Sequence, residues 1–318
     1  MARTTFSLGG VHPNDAKYAR NHAIEVLPLP QTVYISVAQH LGAPAVPCVA
    51  VGDTVKVGQV IAEPGGFISA FVHSSVSGTV KSIGPRKDLA GNNVTHIEIA
   101  VEGDEWVDGV DLSDTLITEI PTDRTAVLDK IKACGVVGLG GATFPTHGKL
   151  NPAPGSKAEC LILNAAECEP FLTCDYRIMI ERTDEIVVGA AIMQMVLGGC
   201  RTIFGVEENK PEAIKALKES VTRLGYKNMD VLPLKKKYPQ GGEKQLIDAV
   251  MKRQFKSGGL PISVGGLSSA LTTARSISAT AKSRNWPSAC GLPLHPTTSS
   301  RTAKSTPMWR LTPPASSR

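Results

Sequence analysis

Between Gly135 and Asp175 the chain carries a pattern that few folds can accept. It opens with Gly135-Val136-Val137-Gly138-Leu139-Gly140-Gly141-Ala142-Thr143-Phe144-Pro145-Thr146, and Lys149 follows. An apolar run, Cys160-Leu161-Ile162-Leu163, then leads into Asn164-Ala165-Ala166-Glu167-Cys168-Glu169-Pro170. Glycines let a backbone approach a ligand where a Cβ would clash. Their N–H groups form an anion cradle, to which a lysine adds a point charge. A buried strand ending in an amide and two carboxylates brings polar groups to the carboxyl edge of a sheet, where α/β folds bind ligands. The stretch therefore predicts a nucleotide or flavin site.

The sequence around it supports a parallel sheet. A helix containing Leu128 and Ile131 is expected to end at Cys134-Gly135, where glycine suits a C-cap. A long helical pattern runs from Arg177 towards Leu197, and Arg201 to Glu207 reads as a strand. Pro211 sits near the start of a helix whose buried face carries Ile214, Leu217, Val221 and Leu224. Met229 to Leu234 is a further strand, and Gly241-Gly242-Glu243 precedes a helix reaching about Arg253. Alternating strands and helices of this length imply βαβ units, assigned to a Rossmann-like domain over 118–265.

The N-terminal third is of another kind. Val49 to Glu63 alternates apolar and polar residues around Gly52-Asp53, and Ile68 to Ile83 repeats the pattern around Gly78-Thr79. These hairpins resemble the lipoyl/biotinyl barrel-sandwich family, whose carrier members present a lysine at a hairpin tip. The matching Val72-His73-Ser74-Ser75-Val76 has no lysine, so residues 1–110 are read as a structural or docking barrel. The seven cysteines show no C-x-x-C or zinc-like spacing, and are read as reduced thiols in a chain without a signal peptide. Residues 1–265 carry 27 Lys/Arg against 29 Asp/Glu, a balance that suggests no nucleic-acid footprint. The most apolar run, Ile186 to Gly199, is too short to cross a membrane.

Four ordered motifs then identify a family. They are G-x-G-G-A-x-F-P-T-x-x-K at Gly138 to Lys149, N-A-x-E-x-E-P at Asn164 to Pro170, Tyr238 to Leu246, and Gly258-Gly259-Leu260-Pro261. Together with Gly9-Gly10-Val11-His12-Pro13 and the barrel, they resemble the RnfC component of the Rnf electron-transport complex. More distantly they resemble the flavin-binding, NADH-oxidising subunit of respiratory complex I. The resemblance covers about residues 5–265. It implies FMN, NAD(H) and iron–sulfur clusters, and a peripheral place on the cytoplasmic face of a membrane. It also implies the other Rnf subunits as partners, with ferredoxin reached through the complex.

Carried over position by position, Gly138, Gly140, Gly141 and Ala142 would cradle FMN, and Lys149 would bind its phosphate or a ring oxygen. Asn164 and Glu167 would hydrogen-bond the ribityl chain or ring edge. Glu169 and Glu243, with Gly241 beside them, would face NADH, and Phe144 would stack on a cofactor ring. No general acid or base is expected, since the flavin carries the chemistry. Ala166 stands where the complex I relative has an acid.

Residues 266–318 break the pattern. They hold 11 Ser, 8 Thr and 6 Pro, seven Lys/Arg and no acid, and are expected to be a disordered, out-of-frame tail. The family's next strand, with Asn residues closing the flavin pocket, is expected to be missing, as are the cysteines for [4Fe–4S] clusters. The expected fold is an N-terminal β barrel-sandwich hybrid, a Rossmann-like α/β domain and a disordered tail. Two other functions fit the residues: a non-catalytic nucleotide-binding or docking module, and a non-functional fragment.

Overall fold

A computed structural model describes residues 4–281 except Leu89. Two small sheets build the N-terminal barrel. The strands of the first are β1 (Thr32–Ser36), β3 (Thr54–Val55), β6 (Ser77–Lys87) and β7 (Asn93–Gly103), in the order β1-β7-β6-β3. The second holds β2 (Val46–Pro47), β4 (Val60–Glu63) and β5 (Val72–His73), in the order β2-β4-β5. All pairings are antiparallel. The alternation read from the sequence puts Val55, Ile61, Val72, Val80, Ile97 and Ile99 into one closed core.

Residues 104–122 form no helix or long strand, though Leu116 and Ile120 pack against the second domain. That domain opens with α1 (Arg124–Ala133). Asp123 caps it, accepting from the N–H groups of Thr125 and Ala126, and Gly135 at φ +62° takes the left-handed turn after its end. After the short α2 (Thr146–Lys149) come β8 (Cys160–Ala165), α3 (Cys174–Glu181) and α4 (Thr183–Val196). The single helix predicted from Arg177 to Leu197 is thus two, broken at Arg182. Next are β9 (Arg201–Glu207), α5 (Pro211–Leu224), β10 (Met229–Leu234) and α6 (Glu243–Met251).

The parallel sheet continues beyond Gly265, where the sequence pattern alone ends the domain. Gly266–Ala270 forms β11, paired along its length with Cys160–Asn164 of β8, and α7 (Leu271–Thr280) follows. Only residues 282–318 of the expected tail lie outside the described residues. Composition averaged over 53 residues hides a short regular pattern. Leu271, Ala274 and Ile277 repeat at helical spacing and are fully buried, and Ser268 and Ser269 are small enough for a covered strand. The strand expected to be missing is present, with serines in it.

The sheet order is β10-β9-β8-β11. The chain therefore builds outwards from β8 to β10, then returns to lay β11 on the other side of β8. One face packs on α1, α4, α5 and α7, and the other on α6.

The sequence assigns residues 4–25 to the barrel, but they run along the α/β domain. Thr4 bridges Leu234, and Val11 and Tyr238 exchange two backbone hydrogen bonds of 2.9 and 2.8 Å. Phe6 enters the α6-side core and Ile24 packs against the opposite one. This strap pairs with the last residue of β10 and with the segment just beyond it. Among the described residues no helix is long and apolar enough to cross a membrane.

Candidate functional site

Because β9 and β11 flank β8 on opposite sides, chain direction reverses at β8. The crevice outside the carboxyl ends of β8 and β11 is a topological switch point, the usual ligand position in open α/β sheets. The glycine-rich loop stands there. Its base is a small hairpin, with Val137 bridged to Pro145 and the Gly138 N–H donating to the Phe144 carbonyl at 2.9 Å. Its flank is fixed to α7, where the Leu139 N–H donates to Thr273 Oγ1 at 2.9 Å. At Gly140 an added Cβ would come 2.8 Å from Ala270 Cβ, so the close approach needs glycine there.

Two features make this corner attractive to anions. Among the described residues, the N–H groups of Gly140, Gly141 and Ala142 have no acceptor. Beside them α7 begins at Ala270 with no side-chain cap, so its first-turn N–H groups and the positive end of its dipole also face the crevice. Lys149 reaches the same region, its Nζ 3.4 Å from Glu243 Oε1, which also accepts from Ser268 Oγ at 2.7 Å. Unengaged donors, a helix N-terminus and a half-exposed lysine suit a phosphate. The loop and helix donors therefore fit the phosphate end of FMN.

Other predicted residues have structural duties. Asn164 donates to the Gly241 carbonyl at 2.8 Å and accepts from the Ala166 N–H at 3.2 Å, so its amide ties the end of β8 to the turn before α6. Gly241 is packed rather than open: a Cβ would come 2.4 Å from the Ala166 carbonyl oxygen. Phe144 is half-buried, with its ring edge over Gly148. Glu169 is exposed near Tyr238.

Glu167 faces a buried ionic cluster. It is 4% exposed, its Oε1 accepts from the Asp175 N–H at 2.8 Å, and its Oε2 has no hydrogen-bond partner. Oε2 lies 3.8 Å from Lys17 Nζ and 4.0 Å from Lys210 Nζ, and Lys210 pairs with Glu207 at 2.5 Å. Burial, then the Asp175 carboxylate, push the Glu167 carboxyl up to about 7 against the pull of both lysines. Asp175 is raised as well, by burial. A cavity of about 250 Å³ opens here, lined among others by Lys17, Arg20, Glu167, Tyr176 and Lys210.

Lys17 also donates to the carbonyls of Glu167, Glu169 and Leu172, at 2.9, 2.9 and 2.5 Å. It thereby satisfies a turn whose carbonyls have no strand to bond. Sequence reading misses Lys17, Lys210, Ser268 and Thr273. Lys17 lies far away in the strap, and the last two fall within the Ser/Thr-rich stretch. Lys210 has one local signal, its place immediately before the helix-starting Pro211.

Comparison with known proteins agrees with this architecture. The family described as the RnfC barrel sandwich hybrid domain matches residues 5–105, and the Nuo51 FMN-binding domain matches residues 131–279. The second match takes in β11 and α7, so both belong to the domain. The fold and the site thus define a barrel-sandwich hybrid joined to an α/β domain of the FMN-binding kind.

The RnfC-type component of the proton-translocating ferredoxin:NAD(+) oxidoreductase complex of Clostridium ljungdahlii is 44% identical over 268 residues, covering 81% of this chain and 56% of its own length. Its counterpart in the Na(+)-translocating complex of Acetobacterium woodii is 40% identical over 266 residues, covering 81% and 57%. The chain belongs to the RnfC family, and it spans little more than half the length of these relatives. A chain of an NAD+-reducing [NiFe]-hydrogenase matches half of it at 21% identity with a TM-score of 0.45, too distant to support any conclusion.

Proposed function

We propose that the chain is the cofactor-binding part of a peripheral electron-transfer subunit. In that role it holds FMN at the switch point and receives electrons from, or returns them to, NAD(H) within a membrane complex that also uses ferredoxin. The observation that carries this reading is the set of unengaged N–H groups at Gly140, Gly141 and Ala142, beside the uncapped start of α7 and within reach of Lys149. The names of the relatives supply the redox partners, NAD(+) and ferredoxin.

When bound, FMN supplies both hydride exchange with a nicotinamide and one-electron exchange with metal centres. The protein's part is placement. Gly140 to Ala142 and α7 would hold the phosphate, Lys149 would balance its charge, and Ser268 would keep Glu243 turned towards Lys149. Glu169, exposed near Tyr238, would meet a dinucleotide. Among the described residues no group of three or more His, Cys, Asp or Glu is placed to hold a metal ion. The [4Fe–4S] clusters and the other Rnf subunits would complete the electron route.

Titrating the purified chain with FMN tests the reading. Quenching of flavin fluorescence is expected, with bleaching of the bound flavin on adding NADH. Gly140→Val should abolish uptake, and Lys149→Ala should weaken it about tenfold, as loss of a charge-assisted contact does. A chain that takes up FMN but is not reduced by NADH would instead be a docking module.

A further inference from the structure

The barrel grips the glycine-rich loop at both ends. On its far side, the Leu41 N–H donates to the Thr143 carbonyl at 3.2 Å, and Thr143 sits at φ +50°. A β-branched residue holds that left-handed conformation only where its surroundings over-determine it. On its near side, Gly135 lies so close to the barrel that a Cβ would come 2.3 Å from the Phe71 carbonyl oxygen and 3.3 Å from His73 Cε1. The His73 ring is 2% exposed and bonds to the carbonyl of Ala133, the last residue of α1. Buried in this way, the ring is held against the end of α1.

The two barrel segments that make these contacts are locked together. His40 Nε2 accepts from the Ala70 N–H at 3.2 Å, and the Ala43 N–H donates to the Ile68 carbonyl at 3.0 Å. Gly42, at φ +102°, leaves no room for a Cβ, which would meet the Ile68 carbonyl oxygen at 2.1 Å. Residues 64–71, the turn between β4 and β5, contain no lysine. That turn is built into an interface between domains.

We propose that the barrel positions the flavin-binding loop, with Leu41 and His73 as positioning residues that fix Gly138–Phe144 from either end. Leu41 holds Thr143 in its strained conformation, which aims the preceding N–H groups into the crevice. His73 anchors the end of α1, from which the loop departs. Neither residue needs to touch the cofactor. The proposal rests on the flavin reading of this loop.

The test uses the full chain with Leu41→Pro, which removes the donor, and His73→Leu, which removes the ring bond. His73→Gln keeps a donor, and Arg86→Ala on the exposed barrel surface is the control. Hydrogen–deuterium exchange over 136–146 is expected to rise in the first two variants while β8 and α4 stay protected. FMN affinity is expected to fall about tenfold, the scale of one lost hydrogen bond. Glutamine at position 73 should restore both.

Unchanged loop exchange and FMN affinity in the folded variants would overturn the proposal. So would exchange that rises equally across the α/β domain, which marks a merely structural role. If Leu41→Pro fails to fold, His73→Leu decides alone. If the wild-type chain takes up no FMN, the flavin reading fails, and the exchange measurement still decides whether the barrel sets the loop.

Discussion

Glu167 carries a cost that its neighbours only partly offset. A carboxylate this deep loses its hydration, and lysines at 3.8 and 4.0 Å lie beyond hydrogen-bonding range. In the folded chain its carboxyl keeps a proton up to about pH 7, against 4.5 for an ordinary glutamate. The folded state therefore binds more protons than the unfolded state between those values, and raising the pH across that window favours unfolding. Asp175 acts in the same direction. Glu167→Gln is expected to melt higher than wild type at pH 8, with little difference at pH 4.5. A gap that does not change with pH would refute this assignment. At Gly241 a methyl group would strike backbone at 2.4 Å, so Gly241→Ala should lower the urea midpoint and release the tie to Asn164. Glycines and Lys149 can be read from the sequence because their chemistry is local. The partners of Asn164 and Glu167 cannot, because Gly241, Lys17 and Lys210 are brought to them only by the fold.

Secondary-structure elements are legible where their period is long. The predicted strands at β8, β9 and β10 form, and so does the helix that starts at Pro211. At β11 and α7 composition masks pattern: the many Ser and Thr residues suggest disorder, though most of those between 268 and 280 are buried. The packing of α7 on α4 is close enough to test. Gly189 in α4 faces α7 so tightly that a Cβ would come 1.7 Å from the Ala274 carbonyl oxygen. Gly189→Ala is therefore expected to destabilise the α/β domain by about 2 kcal/mol, in the range found for overpacked cores. Equilibrium urea unfolding followed by far-UV circular dichroism would measure it. A neutral result would mean that α7 is not seated on α4.

Across the whole molecule, the barrel core is closed on itself, whereas the α/β cores draw on residues from both ends of the described chain. Removing residues 1–25 is expected to lower the melting transition of the α/β domain and leave that of the barrel unchanged. Differential scanning calorimetry would show one transition shifted and one not. Equal shifts in both would mean that the strap supports the two domains alike. The domain boundary is the least legible feature of the sequence. Residues 4–25 have little periodicity of their own and adopt their course only against β10, α6 and the turn after β8.

That strap also sets an order of assembly. Ser7 bonds Asp248 across 241 positions of sequence. During synthesis a segment that precedes the barrel waits for one far downstream of it, while the barrel, closed by Gly103, can fold in between. Contacts of such long range are slow to close. Until α6 arrives, the core that receives Phe6 stays open, and this interval is when the nascent chain is most exposed to aggregation.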